Sequence, residues 1–358
     1  MNKNKLMQAF LPHLRGLPIN GKALEQIQTL AERLPEAGMA GCLEMRLNDE
    51  DAADFCAILG PEDRVEAGRG KTSTGGGEIG SSLPTDWAKD TCWQRALAIR
   101  RAWMDDEHPL SDLYALCYEF DEGVPSPNLF YTLKKKPEDP AAGRRDTRAI
   151  LEQVVRETGA RAAPETFANY ERCEKALTPG AYIRHVGLLL PRPTDAVRIV
   201  IADMAATDIM EYLRRLDLDV PGVGQVLERL PEFLGGIQVN LDVGPRIHPK
   251  VGLEITVPAL EKSLSWPVIM ARLHQDGLVS KEKFDALIPW YAMNSMYVDH
   301  KLFWRSLNHI KIVVRNIGLP EAKAYLMYHP SLPMGYLFHD ILGAVRGKPP
   351  RAPIPTHE

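Results

Sequence analysis

The sequence predicts an α+β fold in which antiparallel strands carry helices against one face. Three observations lead there. From about Asp146 onward the expected elements recur in the order helix, helix, strand, strand, with a period of roughly 55–60 residues. Each expected strand alternates apolar and polar residues, so an apolar face meets the helices and a polar face turns away from them. The polar positions carry particular charges of both signs, not a uniform coat of lysine and glutamate. A chain of 358 residues, 45% hydrophobic and 25% charged, can bury a large core. A formal net charge of −4 gives no bulk attraction for nucleic acid or an anionic membrane, and neither is expected as a partner.

A helix is expected from about Gly21 to Pro35, then the strand CLEMRLN and a short helix in DEDAADFCAILG. Residues 60–84 are rich in Gly, Ser and charge and read as a mobile loop. TDWAKDTCWQRALAIRRAW reads as a helix capped by Thr85 or Asp86, followed by the strands LYALCYEF and NLFYTLKK. Next, DTRAILEQVVRETG and PETFANYERCEKAL precede the strands YIRHVGLLL and AVRIVIAD. TDIMEYLRRL and GVGQVLERLPEFL precede IQVNLDV and VGLEITV. SWPVIMARLHQDG and SKEKFDALIPWYA precede the hairpin HIKIVVRNIGLPEAKAYLMY. Asp146, Thr207, Ser265 and Ser280 stand where helix starts need caps, and Gly159 and Gly277 where helices end. One domain is expected over residues 1–345, with a closing helix in MGYLFHDILGAVRG and a Pro-rich tail, 346–358, without fixed structure.

Several simpler readings fail. No run approaches ~18 apolar residues, so no transmembrane helix is expected. The basic N-terminus is interrupted by Pro12 and His13 and lacks a cleavage pattern. Five widely spaced cysteines without a CxxC read as reduced, mostly buried small hydrophobes in a cytoplasmic protein. GRGKTS suggests a phosphate loop, but the glycine needed five positions before Gly70 is Val65. WMDDEHP lacks the second acid at the spacing of an Asp-rich magnesium motif and reads as an acidic helix end.

The polar strand faces carry the chemistry. Glu44 and Arg46 share one face of CLEMRLN; Asn240 and Asp242 share one face of IQVNLDV; Glu254 is on that of VGLEITV. On the hairpin, His309 and Lys311 oppose Ile310 and Ile312, while Lys323 and Tyr325 oppose Ala322 and Ala324. Two architectures satisfy this pattern. One is an open antiparallel sheet with helices on one side and water on the other. The other is a closed antiparallel β-barrel of 8–10 strands ringed by helices, whose polar faces line a lumen.

Repeated helix-helix-strand-strand units around a polar-lined barrel, with Lys323 and Tyr325 two apart on one strand, resemble the ABBA prenyltransferases and their PT barrel. The resemblance covers about residues 20–330 at the level of architecture. It implies an enzyme of natural-product biosynthesis. Such an enzyme moves an allylic group, dimethylallyl or geranyl, from its diphosphate to an aromatic small molecule or peptide side chain. It also implies that inward basic and tyrosine residues hold the diphosphate: Arg46, Lys134, Arg184, Arg198, Lys311, Lys323 and Tyr325, each on an expected strand. Tyr325, with Tyr182 as a second candidate, would lie over the allylic cation. A carboxylate must take up a proton, and Glu119, Glu44, Asp242 and Glu254 are candidates. Glu119 leads because it stands between aromatics in YEFD, where burial raises a carboxyl toward useful basicity. These residues single out no cofactor, and magnesium could accompany the diphosphate. Acids nearly match cations on the polar faces. That leaves open a barrel of the same shape that binds a peptide or small ligand, or modifies peptides by other chemistry.

Overall fold

Ten antiparallel strands close into a ring in the computed structural model, which describes residues 10–34, 40–60, 85–134, 146–230, 236–258, 261–298 and 301–330. The strands are β1 (Ala40–Arg46), β2 (Ala53–Leu59), β3 (Ala115–Phe120), β4 (Asn128–Thr132), β5 (Tyr182–Leu188) and β6 (Val197–Met204). They continue as β7 (Gly236–Val243), β8 (Ile247–Thr256), β9 (Asn294–Val298), β10 (Lys301–Arg315) and β11 (Glu321–Pro330). Neighbours pair in chain order from β1 to β8, β8 pairs with β10, β10 with β11, and β11 returns to β1. Strand β9 adds to the first residues of β10 and is not part of the ring. Closure leaves the ten barrel strands with no unpaired edge, which an open sheet of this size would have to protect.

Helices flank these hairpins in pairs. They are α1 (Gly21–Arg33), α2 (Thr85–Lys89), α3 (Thr91–Met104), α4 (Thr147–Thr158), α5 (Pro164–Lys175), α6 (Ala206–Arg215), α7 (Gly222–Arg229), α8 (Lys262–Gln275) and α9 (Lys281–Leu287). Local chemistry sets their ends. Asp146 accepts from the Ala149 amide at 2.9 Å, and Gly159 closes α4 with φ of 58°. Ser280 caps α9 through the Lys283 amide. Asp90, which accepts from the Cys92 and Trp93 amides, splits the long helix expected near Trp87 into α2 and α3. Thr207 and Ser265 lie inside α6 and α8, which start one and three residues earlier.

The core fills the space between helices and the outer barrel face. Leu43, Leu241, Ile255, Ile310, Ile312, Ala324 and Leu326 point outward and are essentially sealed. Trp93, Trp103, Trp266 and Trp290 pack over them, and the Trp266 indole N–H donates to the Leu307 carbonyl at 3.2 Å. Each buried large side chain contributes about 1.5–3 kcal/mol, so the apolar half of every strand pattern is accounted for by the helix layer.

One expected element changes class. DEDAADFCAILG contains strand β2, not a helix. Phe55, Ala57 and Leu59 face the helices, whereas Asp54, Cys56 and Ile58 are on the opposite, inward face. The pairing available from β1 and β3 outweighs the helix preference of Ala and Leu. The expected loop beyond Gly60, the closing helix in MGYLFHDILGAVRG and the Pro-rich tail lie outside the described residues. Among the described residues no helix is long and apolar enough to cross a membrane.

Candidate active site

The hairpin of β10 and β11 sets two lysines directly opposite each other, Lys311 against Lys323. Like charges in that register repel unless anions separate them. The flanking strands supply those anions. Glu254 on β8 is the register partner of Lys311, and Arg46 on β1 is that of Lys323, which brings Glu44 beside Tyr325. Lys311 therefore leans toward β8 and β7: its Nζ donates to Asn240 Oδ1 at 2.7 Å and lies 3.3 Å from Glu254. Lys323 leans the other way and donates to Glu44 at 2.5 Å, while the Tyr325 hydroxyl donates to the second Glu44 oxygen. Gly252 makes room for this arrangement. A Cβ there would stand 2.8 Å from Lys311 Cε and 3.0 Å from Asn240 Cβ.

These side chains border a cavity of about 400 Å³ inside the barrel. Seven basic residues line it: Arg46, Arg192, Arg198, Lys250, Lys311, Arg315 and Lys323. So do seven acids: Glu44, Asp54, Glu119, Asp121, Glu122, Asp242 and Glu321. Every one of the seven cations meets a carboxylate. Arg198 and Lys250 share Asp242, each at 2.7 Å, and Arg46 lies 3.3 Å from Asp54. Arg192 meets Asp121 at 2.7 Å, and Arg315 meets Glu321 at 3.0 Å. Two buried donors on the wall, Arg46 Nη1 and Asn240 Nδ2, have no hydrogen-bond partner among the described residues. Aromatic surface comes from Tyr325, whose ring stacks on His309 at 4.0 Å between centroids.

The carboxyls separate into two kinds. Burial pushes Glu44 up, but the Lys323 and Lys311 charges and the bonds from Lys323 and Tyr325 outweigh it and hold Glu44 at about 2. Asp242 is likewise held well below its usual range, since the Arg198 and Lys250 contacts overcome its burial. Glu254 is lowered in the same way by Lys311 and His309. Glu119 differs. Burial and then the Glu44 charge push it up to about 7, and the more distant Arg198 and Lys311 only temper this. Asp54 is raised to about 6, by burial first and Glu44 second. The lumen thus holds permanent anions bound to cations, together with two carboxyls able to exchange protons near neutrality.

Of the residues singled out from sequence, the cavity wall brings together Glu44, Arg46, Glu119, Arg198, Asp242, Lys311, Lys323 and Tyr325. Glu254 lies on the lumen face beneath Lys311. Three others do not line the cavity: Lys134, Arg184 and Tyr182, which stands opposite Ala202 on the β5–β6 pair. Lys134 lies two residues past the end of β4, half-exposed and paired with Asp112. Arg184 is the extra residue of a bulge between Ile183 and His185, so it is exposed. His185 takes the inward place instead and bonds Thr132 Oγ1 at 2.9 Å. Burial lowers the His185 pKa to about 3 and that of His309 to about 4, so both are neutral. Sequence reading missed Asp54, Asp121, Glu122, Arg192, Lys250, Arg315 and Glu321. The last three extend the alternation of Glu254, Lys311 and Lys323 by one or two steps, a signal that longer strand boundaries would have caught.

No protein-family model matches the sequence, and no curated protein matches it. The fold does match solved structures. The apo form of the prenyltransferase PriB aligns with TM-score 0.56 at 13% identity, over 90% of this chain and 95% of that one. PriB with product diphosphate aligns with TM-score 0.55 at 14% identity over the same shares. The 5-dimethylallyltryptophan synthase of Streptomyces coelicolor aligns with TM-score 0.52 at 14% identity, over 90% of this chain and 97% of that one. The architecture is the closed ten-strand PT barrel seen in ABBA prenyltransferases.

Proposed function

We propose that this chain transfers a prenyl group from an allylic diphosphate to an aromatic acceptor held in the barrel. The observation that carries the reading is the convergence of Arg198, Lys250, Lys311, Lys323 and Tyr325 on one cavity inside this fold. PriB, of the same fold, has been captured with L-tryptophan and dimethylallyl thiolodiphosphate together, which fits a donor and an aromatic acceptor sharing one lumen.

In this reading the diphosphate lies against Arg198, Lys250, Lys311 and Lys323, with Arg46 Nη1 and Asn240 Nδ2 as ready donors to its oxygens. Positioned positive charge stabilises the leaving group as the allylic C1–O bond breaks and its electron pair departs with the diphosphate. The face of Tyr325 stabilises the allylic cation. An aromatic carbon of the acceptor forms the new C–C bond, and the ring proton passes to Glu119, whose pKa of about 7 suits a general base. Glu44 stays ionised and fixes Lys323 and Tyr325. Glu44, Asp54, Asp242 and Glu321 are already engaged by cations, and no metal-competent group of three ligands occurs among the described residues.

One observation favours a second reading, a barrel of this fold that binds a small ligand or peptide without prenyl transfer. All seven cavity cations are neutralised internally, so an incoming diphosphate must compete with carboxylates. Purified protein incubated with dimethylallyl or geranyl diphosphate and an aromatic amino acid separates the two. Release of diphosphate with a prenylated product is expected. Binding of the acceptor without release would favour the second reading, and no affinity for either diphosphate would overturn the first.

A further inference from the structure

Three of the five cysteines, distant in sequence, meet on the inner face of the barrel. Cys42 on β1 and Cys56 on β2 are direct register partners, and Cys117 lies diagonally beyond on β3, where it pairs with Ile58. They occupy the layer next to the carboxylates of the cavity wall: Glu44 is the next inward residue after Cys42, and Glu119 is the register partner of Cys56. Cys42 and Glu44 are two residues apart along β1, about 7 Å, and the directly opposed Cys56 and Glu119 are closer, about 4.5–5.5 Å. Cys56 and Cys117 are half-buried, whereas Cys42 is sealed.

We propose that this cluster is a thiol oxidation site, in which a small hydroperoxide oxidises Cys56 and Cys42 then closes a cross-strand disulfide with it. The chemistry balances. The Cys56 thiolate attacks the peroxide oxygen and the O–O bond breaks, giving a sulfenic acid and, after protonation, one water or alcohol. The Cys42 thiol then displaces that hydroxyl, forming the S–S bond and releasing water, so two thiols are oxidised and one peroxide is reduced. The register chooses the partner. Directly opposed residues on antiparallel strands have Cα atoms about 4.5–5.5 Å apart, within disulfide reach, whereas diagonal pairs stand at about 7–8 Å, beyond it. Cys42 can therefore close the bridge, and Cys117 cannot without backbone movement.

The surroundings select Cys56 as the nucleophile. Hydrogen bonds from Cys117 and then Cys42 pull its thiol below the ordinary range, against its burial and the charge of Glu44. The same bonds push Cys42 and Cys117 well above that range, and Glu44 and Glu119 add to this. A thiol lowered in this way is the readiest of the three to attack peroxide as its thiolate. Cys92, on α3, is raised by burial and by Asp90 and serves as an internal control.

The test treats the full-length chain with limiting hydrogen peroxide and counts free thiols, then maps non-reduced peptides by mass spectrometry. Loss of two free thiols, a Cys42–Cys56 linked peptide and recovery with dithiothreitol are expected. Cys42→Ser should stop at a Cys56 sulfenic acid trapped by dimedone, and Cys117→Ser should still form the bridge. A bridge through Cys117, or oxidation of Cys92 before the cluster in wild type, would overturn the proposal.

Discussion

Replacing Glu119 with glutamine keeps its size and removes its proton chemistry. In the lumen its carboxyl is lifted from 4.5 to about 7, by burial first and by Glu44 second. At about 1.4 kcal/mol per pH unit, ionising it there costs the folded state roughly 3 kcal/mol. The folded chain holds this proton more tightly than the unfolded chain, so the associated stability is whole below about pH 4.5 and is lost as pH rises through about 7. Glu119→Gln is therefore expected to gain stability over wild type between about pH 5 and about pH 8, by up to roughly 3 kcal/mol. Urea unfolding at the two pH values measures the difference. Turnover moves the other way, falling about 10²–10⁴-fold, and the variant loses the rise in rate that wild type shows around neutral pH. A variant with wild-type turnover and an unchanged pH dependence of stability would refute the assignment of Glu119 as a buried, titrating base.

Other consequences follow from the same wall. Lys323→Ala strands the buried Glu44 carboxylate and is expected to cost about 3 kcal/mol in urea unfolding at neutral pH, with partial recovery on adding Glu44→Gln. Because Glu44 is held at about 2, wild-type stability from this pair is present above about pH 4.5 and fades as pH falls toward 2; the Lys323→Ala chain should lack much of that acid-dependent loss. Gly252→Ala places a Cβ against Lys311 and Asn240, so it should cost about 1–3 kcal/mol by thermal unfolding and weaken donor affinity. A Gly252→Ala chain equal to wild type in both would show that Lys311 is free to move aside.

Much of this fold is legible in the sequence because alternation reports faces directly. The pairs Ile310–Lys311 and Ala324–Tyr325 identify outward and inward sides without any structure. The lumen itself was harder to read for two physical reasons. A one-residue bulge at Arg184 reverses the side that a residue faces, and no residue type near Tyr182 announces it. The segment of β2 holds Asp54 between Ala53 and Phe55 and reads as a helix until β1 and β3 are there to pair with it. Charge partners were not legible at all. Lys323 and Glu44 are 279 residues apart, and only closure of β11 onto β1 brings them together. The same closure explains why the cations looked available in sequence but are all engaged in the folded barrel.

The most direct measurement is calorimetric titration of the purified chain with dimethylallyl thiolodiphosphate, a donor analogue that PriB binds in crystals. The account predicts binding at one site in wild type, and weakening of at least about tenfold, or about 1.4 kcal/mol, in folded Lys311→Ala and Lys323→Ala. No binding by the folded wild-type chain, or equal binding by both variants, would contradict a donor site in this lumen.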